Sequence, residues 1–372
     1  LDAVALTEAL VGFDTVSSRS NAPCLERVAE LLEPLGARIT LQRKPSDPGQ
    51  VNLLARFGPD GPGGLAFAGH SDTVPWDRSM RATTSAERDG RRLYGRGTCD
   101  MKGAIAAMIC AAAATDRARL RKPLHLALTF EEEIGCHGAK LLETTAPLAV
   151  EHCIIGEPTG LRPVTLHKGY VTAICDLRGT PCHSSDPDQG ASAIHAAARA
   201  VDALLALGIG WKQAGDPGGG LNPPYTTINI GTLSGGTARN VVPAGASFAI
   251  ETRPLPGTDT DVLVAQLAAT IEAAVATVPG VAAALREIER DDPFHTASDA
   301  PLAAWLVERT GSATATVPFY TEAQIFNRMG ARTVVCGPGE IEQAHRVDEW
   351  VELDALEAAA ELYRGAIEEF CT

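Results

Sequence analysis

Two histidines and a set of carboxylates stand where they could hold metal ions and activate a water. His70 opens His70-Ser71-Asp72, and Asp100 follows the glycine-rich turn Gly95-Arg96-Gly97. Three glutamates run through Glu131-Glu132-Glu133, Glu157 lies in Gly156-Glu157-Pro158, and His345 comes soon after Gly337-Pro338-Gly339. Taken singly, each has an ordinary reading: a histidine after a strand is commonly structural, and a run of acids is commonly a solvated face. Together, with one glutamate of the run, they supply two imidazoles and three carboxylates and no thiolate. That donor set suits zinc, with cobalt or manganese as substitutes. One bridging carboxylate plus two ligands per ion leaves room for a water between metals about 3.5 Å apart. Such a water loses its proton near neutral pH and attacks a carbonyl, and a general base that is not a ligand must sit beside it. In His70-Ser71-Asp72, positions i and i+2 of an extended chain face the same side, so the Asp72 carboxylate is placed to orient the imidazole.

These residues need a scaffold that gathers them, and in open α/β sheets ligands collect at the carboxyl ends of the strands. Short, nearly continuous apolar runs at 51–57, 65–69 and 124–130 read as strands buried on both faces. The run 65–69 leads into His70, 124–130 into the three glutamates, 153–155 into Glu157, and 332–336 into the turn before His345. Four strand ends thus deliver imidazole or carboxylate to one edge. Residues 7–11 and 24–33 read as amphipathic helices, and the Ala-rich 102–115 as a buried one. This alternation predicts an α/β fold with a mostly parallel sheet.

The middle of the chain changes character. Residues 171–178, 226–233 and 246–253 alternate apolar and polar positions, the period of a sheet with one solvated face. Residues 190–207 and 259–278 are helical patterns between them, and 215–224, dense in Gly and Pro, is a loop. The pattern predicts an α+β insert with two helices on an antiparallel sheet. Helix 300–309, strand 332–336 and helix 353–370 then resume the first grammar. The expected organisation is a catalytic metal-binding domain from 1–168 and 292–372, interrupted by an inserted dimerisation or lid domain at 169–291.

Composition narrows the class. The formal net charge of −14 repels nucleic acid and anionic membranes, and no basic cluster overrides it. No apolar run is read as spanning a bilayer, and no basic, apolar leader precedes the first helix. The nine cysteines are odd in number and irregularly spaced, without a CxxC. They read as reduced thiols, and the expected location is cytoplasmic.

The segments Ala68-Gly69-His70-Ser71-Asp72-Thr73-Val74-Pro75 and Tyr94-Gly95-Arg96-Gly97-Thr98-Cys99-Asp100-Met101-Lys102-Gly103 resemble the dinuclear-zinc aminoacylase and deacylase family. Ile155-Gly156-Glu157-Pro158-Thr159, His183-Ser184-Ser185 and Gln343-Ala344-His345 extend the likeness along nearly the whole chain. The resemblance implies a zinc-peptidase-like catalytic domain with two zinc ions. His70 and Glu157 would hold one, Glu133 and His345 the other, and Asp100 would bridge them. It makes Asp72 the partner of His70 and Glu132 the catalytic base. His183 would reach the site from the second subunit of a homodimer and stabilise the oxyanion, a role of about 2.7–4 kcal/mol. Asn240 and Arg253 match positions that bind the substrate carboxylate, and Glu322 is a candidate partner for a substrate ammonium.

Within the family, Tyr320-Thr321-Glu322-Ala323 and the stretch from Gly337 to His345 look most like the branch that removes the acetyl group from N-acetylornithine in arginine synthesis. The alternatives are desuccinylation of succinyl-diaminopimelate, a broader hydrolysis of N-acyl amino acids, or a catalytically silent zinc-binding scaffold. Glu132 and His183, which a scaffold does not need, argue against the last.

Overall fold

The computed structural model describes every residue except Pro217. The chain forms two compact units, Leu1–Thr165 with Thr296–Ala315 and Thr321–Thr372, and Leu166–His295 with Thr316–Tyr320.

In the first unit the short apolar runs become central strands because nothing in them needs water. Every residue of Leu65–His70 and of His152–Pro158 is buried. Four strands lie side by side in parallel, in the order Leu124–Thr129, Leu65–His70, His152–Pro158 and Arg332–Gly337. Register places His70 beside Thr129 and Gly337 beside Pro158, so all four chains leave the sheet at one edge. The flanks are antiparallel. Asp47–Phe57 pairs with Leu124–Thr129, Arg38–Lys44 pairs outside it, and Val335 meets Val164 on the other side. The sheet is therefore mixed, and the expected parallel character belongs to its centre. Arg38–Lys44 escaped the sequence reading because an edge strand keeps its polar side chains wet and shows no apolar run.

Helix Lys102–Ala114 is buried from Lys102 to Ala112. Its alanines let it lie close against Ala3–Val11 and Leu353–Cys371 in one core. The rest of 102–115 reads as expected, ending one residue earlier. A small antiparallel sheet orders Trp350–Glu352, Arg92–Tyr94 and Glu87–Asp89, with Trp350 opposite Tyr94. It ties the chain after His345 to the chain before Asp100.

The second unit is a four-stranded antiparallel sheet, in the order Thr227–Gly235, Gly245–Arg253, Tyr170–Arg178 and Ala282–Asp291. Alternate residues of Tyr170–Arg178 and Gly245–Arg253 are buried, as their period requires. Helices Ala193–Gln213 and Thr260–Val275 cover that face through Ala196, Ala200 and Leu204 and through Leu263, Leu267 and Ile271. Ala282–Asp291 was not foreseen, since its mixture of alanines and charges gives no strand signal. One correction concerns Ala193–Gln213, which is long and apolar enough, by length and composition, to cross a membrane. Its small-residue face is instead packed on the sheet. The expected 215–224 loop lies among described residues apart from Pro217.

Candidate metal centre

His70 and Asp100 meet first. His70 Nε2 lies 3.0 Å from Asp100 Oδ1 and 3.6 Å from Glu157 Oε1. The other oxygen of Asp100, Oδ2, lies 3.2 Å from His345 Nε2, and that nitrogen is 3.1 Å from Glu133 Oε2. Asp100 thus turns one oxygen toward each imidazole. Donor atoms of His70, Asp100 and Glu133 lie within 4.8 Å of one another, as do those of His70, Glu132 and Glu157. The five ligands named from the sequence, and the glutamate named as base, converge at one sheet edge.

Local backbone explains how. Gly69 precedes His70, and a Cβ there would come within 2.3 Å of Met101 Cε, so glycine alone lets the residue after Asp100 pack beneath the histidine. The His70 peptide N–H donates to Met101 Sδ at 3.4 Å. Gly97 has φ +85°, and a Cβ would meet Thr73 Cγ2 at 2.9 Å. Glu131 and His345 adopt left-handed backbone, φ 51° and 59°. Such conformations cost non-glycine residues of order 1–3 kcal/mol and persist where the surroundings over-determine them.

The electrostatics favour cations here. Asp100, Glu133 and Glu157 are almost wholly buried, with Glu132 close by. Even with both imidazoles protonated, four carboxylates leave two negative charges unmatched among these six side chains, a costly arrangement in a poorly solvated site. Burial pushes Glu157 and Glu132 well above the ordinary carboxylate range and raises Glu133. Asp100 goes the other way: burial opposes its charge, but hydrogen bonds from His345 and His70 hold it below the usual value. Burial would lower His70, yet the Asp100 hydrogen bond and the Glu157 charge raise it well above the usual range. The hydrogen bonds of Asp100 and Glu133 raise His345 to about 10. The raised histidines report the surrounding carboxylate charge, and the raised glutamates report the cost of burying theirs; divalent ions would offset both. The donor set fits two such ions.

The surrounding residues refine the sequence reading. His70 Nδ1 is 2.9 Å from the Asp72 carbonyl oxygen, whereas the Asp72 carboxylate stands 3.7 Å away. The main chain of Asp72 therefore fixes the tautomer that leaves Nε2 free for a metal. Its carboxylate instead accepts from Ser17 Oγ at 2.7 Å and from the Glu132 peptide N–H at 3.1 Å, so it positions the glutamate loop. Glu131 is removed from the chemistry: Lys44 Nζ holds it at 2.5 Å and His137 Nδ1 at 2.7 Å.

Glu322 is a correction. Its side chain is fully buried and accepts from Thr129 Oγ1 at 2.6 Å, so it offers no surface to a substrate ammonium. Burial raises its carboxyl to about 7, and Oε2 has no hydrogen-bond partner among the described residues. Arg96 and Glu349, a buried pair at 2.6 Å, were missed as contributors. Arg96 sits between two glycines and Glu349 four residues after His345, so both had a positional cue.

His183, Asn240 and Arg253 belong to the second unit. His183 is exposed; its Nδ1 lies 2.7 Å from Ser185 Oγ and accepts from the Ser185 peptide N–H at 3.1 Å. Asn240 adjoins it, since the Ser184 peptide N–H donates to the Asn240 carbonyl at 3.1 Å. Arg253 is held elsewhere, by Glu251 at 2.8 Å and over the Tyr170 ring at 5.0 Å.

Residues 66–369 match peptidase family M20/M25/M40. The chain is 40% identical to an acetylornithine deacetylase of Myxococcus xanthus, over 98% of this chain and 96% of that one. It is 34% identical to one of Proteus mirabilis (strain HI4320), over 98% and 94%. Among solved structures it is similar to aminopeptidase PepT from Bacillus cereus ATCC 10987, with a TM-score of 0.77 at 22% identity, over 99% and 97% of the two chains. That last likeness speaks for the fold.

Proposed function

This chain belongs to peptidase family M20/M25/M40, and on that premise we propose that it removes the acetyl group from N-acetylornithine, giving ornithine and acetate. It is a hydrolase of a metal-binding family. The observation that carries the reading is Asp100, whose two oxygens face two different histidines. His70 and Glu157 would hold one zinc ion, Glu133 and His345 the other, with Asp100 shared. When bound there, the ions supply Lewis acidity, lowering the pKa of water and polarising an amide carbonyl. The chain's own groups do the rest. Glu132 takes a proton from the attacking water and passes it to the leaving amine. Burial raises its carboxyl well above the ordinary carboxylate range, which makes it a stronger base once ionised. The Asp72 carboxylate holds the Glu132 peptide in place for this.

In the same reading Leu1–Thr165, Thr296–Ala315 and Thr321–Thr372 carry the metals, while the second unit forms a homodimer. His183 supplies a hydrogen-bond donor to the developing oxyanion in that dimer, and Asn240 and Arg253 bind the substrate carboxylate. No disulfide joins the nine cysteines among the described residues, which supports a reducing, cytoplasmic setting; a place in arginine synthesis follows from the proposed substrate. The test is a comparison of kcat/KM on N-acetylornithine and on N-succinyl-diaminopimelate with the zinc-loaded chain. Preference for the acetyl substrate is expected; faster turnover of the succinyl one overturns the choice.

A further inference from the structure

We infer that Glu349 is a positioning residue that sets the loop carrying Asp100, with Arg96 locking it in place. The inference rests on Asp100 being the shared metal ligand. The Glu349 side chain has no exposed surface, and that of Arg96 is 6% exposed. Glu349 Oε1 accepts from the peptide N–H groups of Cys99 at 2.9 Å and Asp100 at 3.0 Å. Its Oε2 accepts from the Gly97 peptide N–H at 3.0 Å and from Arg96 Nη1 at 2.6 Å. One carboxylate therefore satisfies three peptide donors of this loop, at Gly97, Cys99 and Asp100, that the turn would otherwise bury unpaired. The Glu349 carbonyl accepts from Gly95 at 3.0 Å, and Arg96 Nη2 donates to the Arg346 carbonyl at 3.1 Å. The same pair thus fastens the Asp100 loop to the segment that presents His345.

Each Glu349 oxygen takes two donors, so a glutamine cannot replace it. Whichever way the amide is turned, its NH2 faces two N–H groups, and the negative charge opposite Arg96 is gone. Partners of metal ligands lose 10–100-fold in metal affinity when mutated, and a change of that size is expected here.

The experiment strips the full-length chain with chelator and titrates zinc against a chromophoric chelator, with circular dichroism confirming the fold. Glu349→Gln is expected to bind zinc roughly 10–100-fold more weakly, with kcat falling more than KM rises. Arg96→Lys keeps the cation but loses the planar fork, and an intermediate loss is expected; it carries the test if Glu349→Gln does not fold. Leu267→Ala, in the core of the second unit, is expected to lower the melting temperature and leave zinc affinity at the wild-type value. Zinc affinity within twofold of wild type in the folded Glu349 or Arg96 variant overturns the inference, as does an equal loss in Leu267→Ala. A wild-type chain that binds no zinc overturns the metal reading itself, a result distinguishable from the others.

Discussion

Replacing Glu132 with glutamine tests the proposed chemistry and the charge argument together. The substitution keeps the volume of the side chain, and the main chain stays anchored because the Glu132 peptide N–H still donates to Asp72 Oδ1. What is lost is the proton acceptor beside His70 and Glu157. A positioned base contributes about 10²–10⁴-fold, or roughly 2.7–5.5 kcal/mol of barrier at 1.36 kcal/mol per decade. Stability moves the other way. Burial raises the folded-state pKa of Glu132, so above the unfolded value the unfolded chain has already released a proton that the folded chain still prefers to hold. Ionising this group therefore costs stability at neutral pH, and the neutral amide relieves that cost in the metal-free protein. Steady-state kinetics of the zinc-loaded variant and a melting scan of the stripped one are the two assays. Turnover above a tenth of wild type refutes the assigned base. A melting temperature several degrees below wild type refutes the claim that the cluster carries surplus negative charge.

Chelation should abolish turnover and lower the melting temperature, since ligand bound only to the folded state adds about 2.7 kcal/mol at 100 times its Kd; amide hydrolysis undiminished by chelator sinks the metal mechanism. His167, held near pKa 4 by burial, is neutral in the fold while its unfolded form takes up a proton below about 6.5. Its contribution is complete above that pH and is lost as pH falls toward 4, by at most about 1.4 kcal/mol per unit. Urea titrations at pH 7 and 5 should show a smaller difference for His167→Phe than for wild type. Glu322 has the opposite sign: its folded value of about 7 against 4.5 means stability is lost as pH rises between the two. Glu322→Gln should flatten that slope and leave KM unchanged, whereas a tenfold rise in KM would return the residue to the substrate.

The sequence alone was enough to place the candidate ligands at shared strand ends, because buried central strands are written in apolar runs. Leu65–His70, Leu124–Thr129, His152–Pro158 and Arg332–Gly337 are buried on both faces, so each reads as a central strand, and parallel central strands must discharge their C-terminal residues at one edge. Edge strands such as Arg38–Lys44 and Ala282–Asp291 leave no such trace, since half their side chains stay in water. That is why the mixed character of the sheet and the fourth strand of the second unit went unread.

Within the acidic run, residue type could not sort three adjacent glutamates. Tertiary contacts did: Lys44 and His137 capture Glu131, while Glu133 meets His345 and Glu132 lies beside His70 and Glu157. Likewise, a sequence shows that Glu322 and Glu349 are acids, not that both are sealed from solvent, one against Thr129 and the other under the Asp100 loop. Periodicity reports which face of an element is apolar, and so the scaffold is local information. Which acid meets which donor depends on segments as far apart as Asp100 and Glu349, and only their packing decides it.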